Sequence, residues 1–156
     1  MDPQALIAQL DNCQEFFDKS TSSLEEKDSG FRPTDEMHST AQQVAHVAQI
    51  IDWFMQGAFR PEGFRMDWET MEAELKEFQS LAESRKWVAK AFDDARAKLS
   101  GMSASELMQP IAEGEIMGGA PRMAAIGGIE DHTAHHRGAL AVYARLSGHV
   151  PPMPYM

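Results

Sequence analysis

The chain has 156 residues, of which 43% are hydrophobic, and its formal net charge at pH 7 is −10. This length is enough to bury one core of ordinary size, so we expect a single domain over residues 1–156. The negative charge repels phosphate backbones and anionic membrane surfaces, which argues against nucleic acid or a membrane as a partner. No apolar run approaches the roughly 20 residues that cross a bilayer, and no signal-like segment begins the sequence. We therefore expect a cytoplasmic protein.

The single cysteine, Cys13, has no partner within the chain for a disulfide. It occupies a periodic apolar position of the first predicted helix, where a small buried side chain fits. A core position is the favoured interpretation, and a reactive thiol is the alternative.

Apolar spacing predicts helices over residues 3–27, 40–59, 68–99, 104–109 and 121–147. The first helix is supported by three-and-four spacing, and a loop follows at Ser29, Gly30 and Pro33. Its apolar positions are Leu6, Leu10, Cys13, Phe17 and Leu24.

The second helix has a start signal at Thr40, since Gln43 follows three residues later in the capping-box arrangement. Its apolar residues cover more than half of the helix circumference, which predicts burial on more than one side. These residues are Val44, Val47, Ile50, Ile51, Trp53, Phe54 and Met55.

The region over residues 68–99 is helical in pattern, with a break expected near Ser80 or Ser84. Ser103 and Glu106 form another capping box, which predicts a short helix that Pro110 ends. Residues 111–121 are rich in glycine and read as an ordered crossover loop on the surface. The last helix should end at Gly148, because the prolines that follow prevent its continuation. No convincing strand pattern appears, so the fold class is all-α: a four-helix bundle with a short extra helix and a crossover loop.

The last helix carries a histidine pair. His132 and His136 are four residues apart and lie about 40° apart around the helix axis, so both imidazoles can reach one ion. They share a stripe with apolar residues and should point into the bundle. The other residues of the stripe are Ala125, Ile129, Ala139, Leu140, Tyr143 and Leu146.

Inward histidines lose hydration, and their ring nitrogens then need partners. A divalent transition metal satisfies them well, because neutral imidazole is a good ligand for Zn, Ni, Cu and Fe. The alternative is a chance pair whose nitrogens are satisfied by hydrogen bonds. The pair alone does not decide between these interpretations.

His46 is the best candidate for a third ligand, because it lies at the edge of the apolar arc of the second helix. His38 precedes that helix, and His149 follows the last one and is expected to be exposed. His135 lies about 60° to one side of His132 and is a candidate for supporting the site rather than for binding the ion. Trp53 and Tyr143 are further candidates for the pocket or its support.

Three segments resemble the DinB/YfiT-like family: Gln43-Val44-Ala45-His46, the run from His132 to Leu140 (H-x-x-x-H-R-G-A-L), and the tail from Arg145 to Pro152. The resemblance covers nearly the whole chain. It implies a four-helix bundle with an unusual crossover connection, usually dimeric, in which three histidines hold nickel, zinc or a similar ion. Carried over position by position, the ligands are His46, His132 and His136.

The resemblance also implies a reaction, because some relatives are metal-dependent transferases that use low-molecular-weight thiols. We therefore expect a metal-binding protein that acts on a small-molecule substrate as a thiol S-transferase. One alternative is a stress-related protein that binds metal without turnover. Another is an interaction module whose second helix pairs with another subunit. If the protein is an enzyme, Arg137 could hold an anionic substrate. Its position on the helix, away from the histidine stripe, instead favours a surface salt bridge.

Overall fold

The computed structural model describes residues 2–155, which fold into an all-helical bundle. The helices are α1 (Pro3–Thr21), α2 (Thr40–Phe59), α3 (Trp68–Lys76), α4 (Leu81–Ser100), α5 (Ala104–Leu107) and α6 (Ala124–Leu146). A 3₁₀ turn covers Glu26–Asp28. Over residues 2–155 no strand forms apart from one isolated bridge between Pro110 and Pro121. Within the same range, no helix is both long and apolar enough to cross a membrane.

The four long helices form the bundle. Helix α2 packs against α4 and α6, and α1 packs against the same two helices, so α1 and α2 lie diagonally across the core. Helix α3 lies outside this square against α2. Fifteen of the twenty residues of α2 are buried, which explains its wide apolar arc. Neighbouring helices of the same chain cover most of this arc.

The structure redefines the first helix and the helical region over residues 68–99. Helix α1 ends at Thr21, whose hydroxyl donates to the carbonyl of Phe17 at 3.0 Å, and not at residue 27. Leu24 is buried because a turn, and not the helix, brings it to the core. The region over 68–99 is two helices, and the Ser80 side chain caps α4 by accepting from the backbone N–H of Glu83 at 3.3 Å. The break therefore lies at the first of the two expected positions.

The cap of α2 is one residue earlier than the sequence indicated. The Ser39 side chain accepts from the backbone N–H of Gln42, and the Gln42 side chain accepts from the backbone N–H of Ser39 at 3.0 Å. Thr40 instead donates to the carbonyl of Phe31 at 3.2 Å. Both Ser39-Gln42 and Thr40-Gln43 fit the capping spacing, so only a tertiary contact could choose between them.

The remaining helix ends differ by a few residues from prediction. The capping box of Ser103 and Glu106 forms as expected, but α5 ends at Leu107 instead of residue 109. Helix α6 starts at Ala124 instead of residue 121 and ends at Leu146. The connection between them is ordered. Ile111 is 2% exposed there and packs with Ala58 of α2 and Ala125 of α6.

Candidate metal centre

The packing of α2 on α6 brings three predicted histidines together. One potential ligand atom from each of His46, His132 and His136 forms a set in which all lie within 4.8 Å of one another. The ring centroid of His46 is 5.0 Å from that of His132 and 4.8 Å from that of His136. The two rings on α6 are 4.3 Å apart. The three residues therefore form one cluster, with two members from one helix and one from its neighbour.

The spacing within the α6 pair fits a shared cation. Nε2 of His136 lies 3.0 Å from Nε2 of His132. Two nitrogens that bind the same zinc-like ion, each at about 2.0–2.1 Å, lie about 3 Å apart or slightly more. Without an ion, these two nitrogens need a proton between them, because two lone pairs at this distance repel.

Burial keeps the three imidazoles neutral, which is the form that binds metals. Burial, together with the charges of neighbouring histidines, lowers the pKa of His136 to about 3 and that of His132 to about 4. The pKa of His46 is also lowered, chiefly by burial. His136 is only 9% exposed.

Two ring nitrogens of the cluster have no hydrogen-bond partner among residues 2–155. Nδ1 of His46 and Nδ1 of His136 are buried, and neither has a hydrogen-bond partner in the described part of the chain. Each such atom costs free energy, on the order of 1–3 kcal/mol for a buried unsatisfied group. A cluster of this kind fits a bound cation better than it fits an ordinary apolar core, because the ion offsets the cost of placing the imidazoles there.

His38 is a neighbour of the cluster that sequence reasoning missed. Its ring centroid lies 5.8 Å from that of His46, and its Nε2 donates to the Glu72 carboxylate at 3.1 and 3.2 Å. The Tyr143 hydroxyl donates to the backbone carbonyl of His38 at 3.0 Å. Tyr143 is 2% exposed, so it supports this edge of the site from inside the bundle. Because His38 precedes α2, helical spacing contains no signal for its position.

Trp53 and His135 have different positions relative to the cluster. Trp53 donates from its indole nitrogen to the carbonyl of Arg65 at 2.7 Å and lies against Phe54, Phe64 and Trp68. It thus belongs to an aromatic group away from the histidine rings. His135 is exposed, and its ring meets that of His136 edge-on at 4.8 Å.

Several expectations for the outlying residues were wrong. His149 is not exposed, since its Nε2 lies 2.8 Å from the Asp28 carboxylate and its side chain is 17% exposed. Leu146 is 59% exposed, because it is the final residue of α6 and projects past the packed part of the helix. Arg137 donates to the Tyr155 hydroxyl at 2.9 Å and covers the Phe16 ring, in place of the expected salt bridge.

Cys13 is partly buried and packs against the main core. Burial raises the pKa of its thiol to about 11, so the side chain is a neutral thiol at pH 7. This favours the core interpretation over the reactive one.

The fold and the cluster together define an all-helical bundle protein with a three-histidine group that can hold a metal ion. The family model of the DinB superfamily matches residues 9–140. The chain belongs to this superfamily. The curated proteins compared with the chain include no match.

The depressed pKa values predict acid sensitivity of the metal-free protein. The unfolded chain binds protons at histidines near pH 6.5, whereas folded His132 and His136 resist protonation until about pH 4 and 3. The free energy of unfolding should therefore fall as pH drops below 6.5, by up to about 1.4 kcal/mol per pH unit for each histidine. Urea unfolding in chelator between pH 7.5 and 4.5 measures this slope. The His136→Gln variant should show a shallower slope, and equal slopes in both proteins would contradict the assignment.

Proposed function

We propose that the protein binds one divalent transition metal through His46, His132 and His136. The observation that carries this proposal is the meeting of three neutral imidazoles that are at least partly buried, two of them with nitrogens 3.0 Å apart. Imidazole suits Zn, Ni, Cu and Fe, and the family resemblance implies nickel, zinc or a similar ion, so Ni and Zn are the proposed metals. Membership of the DinB superfamily supports the proposal, since the resemblance implies the same ligands.

We further propose that the site is catalytic and uses a low-molecular-weight thiol. Three protein ligands leave coordination positions open, as in catalytic rather than structural zinc sites. A bound divalent ion supplies a Lewis acid that keeps a coordinated thiol in its thiolate form at neutral pH. The thiol comes from a small cofactor, because the raised pKa of Cys13 leaves that side chain protonated. We propose a cytoplasmic protein that acts on a small electrophilic substrate as a homodimer, the oligomeric state that the resemblance implies.

A non-catalytic role is the second candidate. The His38–Glu72 pair lies beside His46 and places one more imidazole and a carboxylate next to the cluster. A coordination shell closed by protein groups would suit a stress-related protein that holds metal without turnover. The two roles differ in whether a thiol and an electrophile react at the loaded site.

Metal stoichiometry tests the ligand set. Untagged protein purified without chelator should contain about one equivalent of Ni or Zn by elemental analysis, and His132→Ala should contain almost none, because an imidazole ligand is lost. His149→Ala is the matched control, since it removes a histidine that is paired with Asp28 outside the cluster. Equal metal content in the two variants would overturn the assigned site.

Thiol transfer tests the reaction. In the assay the thiol sulfur forms a bond to the carbon of a chromogenic aryl halide, halide leaves, and the thiol proton passes to solvent. Loaded wild-type protein should accelerate the transfer at least about 100-fold over His132→Ala, the lower end of the roughly 10²–10⁴-fold that a positioned acid–base group contributes. Cys13→Ser should retain the rate. Stoichiometric metal without acceleration would favour the non-catalytic role, and loss of rate in Cys13→Ser would show that the protein's own thiol reacts.

A further inference from the structure

Gln49 is a buried amide next to the candidate metal centre. It lies on α2 three residues after His46, so both side chains occupy the same part of the helix surface. Gln49 is 4% exposed, and its side-chain nitrogen donates to the backbone carbonyl of Met71 at 2.8 Å and to the Glu74 carboxylate at 3.1 Å. A buried amide with both N–H groups engaged on a neighbouring helix is held in one orientation.

The two partners on α3 determine the orientation of the Gln49 side-chain amide. A backbone carbonyl and a carboxylate only accept hydrogen bonds, so the Gln49 nitrogen must point toward α3. The amide oxygen then points away from Met71 and Glu74. This oxygen can only accept, and the polar group that needs it has to be a donor.

His46 presents such a group. Its Nδ1 is buried and has no hydrogen-bond partner of ordinary geometry in residues 2–155. Burial lowers the pKa of the His46 ring, and a hydrogen-bonding interaction with the Gln49 side chain opposes that effect. The amide oxygen of Gln49 is therefore the acceptor that the unsatisfied Nδ1 of His46 can use, since the two side chains are neighbours on one face of α2.

We propose that Gln49 is a positioning residue that accepts a hydrogen bond from Nδ1–H of His46 and so directs the Nε2 lone pair toward His132 and His136. This inference rests on the proposed metal site. A ligating histidine is normally oriented through its second ring nitrogen, and loss of that contact weakens metal binding. Helix α3 then has a role in the site, because Met71 and Glu74 hold the amide that orients the ligand.

Two substitutions of Gln49 separate the effect of its hydrogen-bond acceptor from the effect of its side-chain shape. Gln49→Met keeps the length of the side chain and removes the acceptor, whereas Gln49→Glu keeps an acceptor and loses the donors to α3. Gln56→Met is the matched control, because it makes the same change at an exposed position of the same helix. Circular dichroism confirms folding of each variant before the affinity measurement.

Zinc affinity, measured by competition with a chromophoric chelator, is the first readout. Gln49→Met should bind zinc about 10–100-fold more weakly than wild type, Gln49→Glu should bind within a few-fold of wild type, and Gln56→Met should be unchanged. Wild-type affinity in folded Gln49→Met would overturn the inference. A loss of affinity in Gln49→Glu as large as that in Gln49→Met would also overturn it, because an acceptor is still present there.

The tautomer of His46 in metal-free protein is the second readout and does not depend on metal binding. Long-range ¹H–¹⁵N spectra should show the proton on Nδ1 in wild type and a mixture of tautomers in Gln49→Met. A proton on Nε2 in wild type would refute the role of Gln49 even if zinc binds. If zinc does not bind to wild type, the proposed function fails, and the tautomer alone decides this inference. If Gln49→Met does not fold, the wild-type and Gln49→Glu spectra decide it.

Discussion

The structure depends at its centre on the contact between α2 and α6, because this contact buries three imidazoles against one another. Histidines in such a position lose hydration, and their pKa values fall so far that they remain neutral through the physiological range. Two of their nitrogens have no partner in the described residues. The arrangement is therefore costly for a metal-free bundle, and the same features make it suitable for a cation.

The rest of the bundle offsets the free-energy cost of burying these imidazoles. Helix α2 is buried along most of its length by α3, α4 and α6, which holds His46 at a fixed depth. The main core is an apolar cluster to which α1, α2, α4 and α6 all contribute. A large apolar core tolerates a small polar centre, because the free energy of burying its apolar side chains greatly exceeds that of a few unsatisfied atoms.

Helix α3 is small and peripheral, yet it touches the surroundings of the site twice. Glu72 bonds to the His38 ring, and Glu74 with the Met71 carbonyl bonds to Gln49. The loop before α2 is held in turn by the Tyr143 hydroxyl from α6. The polar contacts around the cluster thus join the loop, α2, α3 and α6. A substitution in α3 is therefore expected to affect the site, although none of the proposed ligands lies on α3.

Local regularities made much of the fold and site predictable from the sequence. The bounds of α2 follow from apolar periodicity together with a start signal, and the inward direction of the His132–His136 pair follows from helical periodicity. His46 was found because it lies at the edge of the apolar arc of α2. Trp53 lies on the same side of α2 as His46, but seven residues of helix place it about 10 Å farther along the axis, out of reach of the rings.

Other features depend on tertiary contacts, which helical periodicity does not reveal. The choice of Ser39 over Thr40 as the cap depends on the carbonyl of Phe31, and the end of α1 depends on a turn that returns Leu24 to the core. The position of His38 depends on Glu72 and Tyr143, which are distant in the sequence. Gln49 gave no signal either, because a lone amide on a helix has a role only when its partners on α3 are known.

X-ray absorption at the metal edge of untagged protein, loaded with one equivalent of zinc, tests the central claim most directly. The account predicts scattering from three imidazole rings with nitrogens at about 2.0–2.1 Å, together with at least one light-atom ligand from solvent. Scattering from fewer imidazoles, or from sulfur of the protein, would contradict the proposed ligand set of His46, His132 and His136.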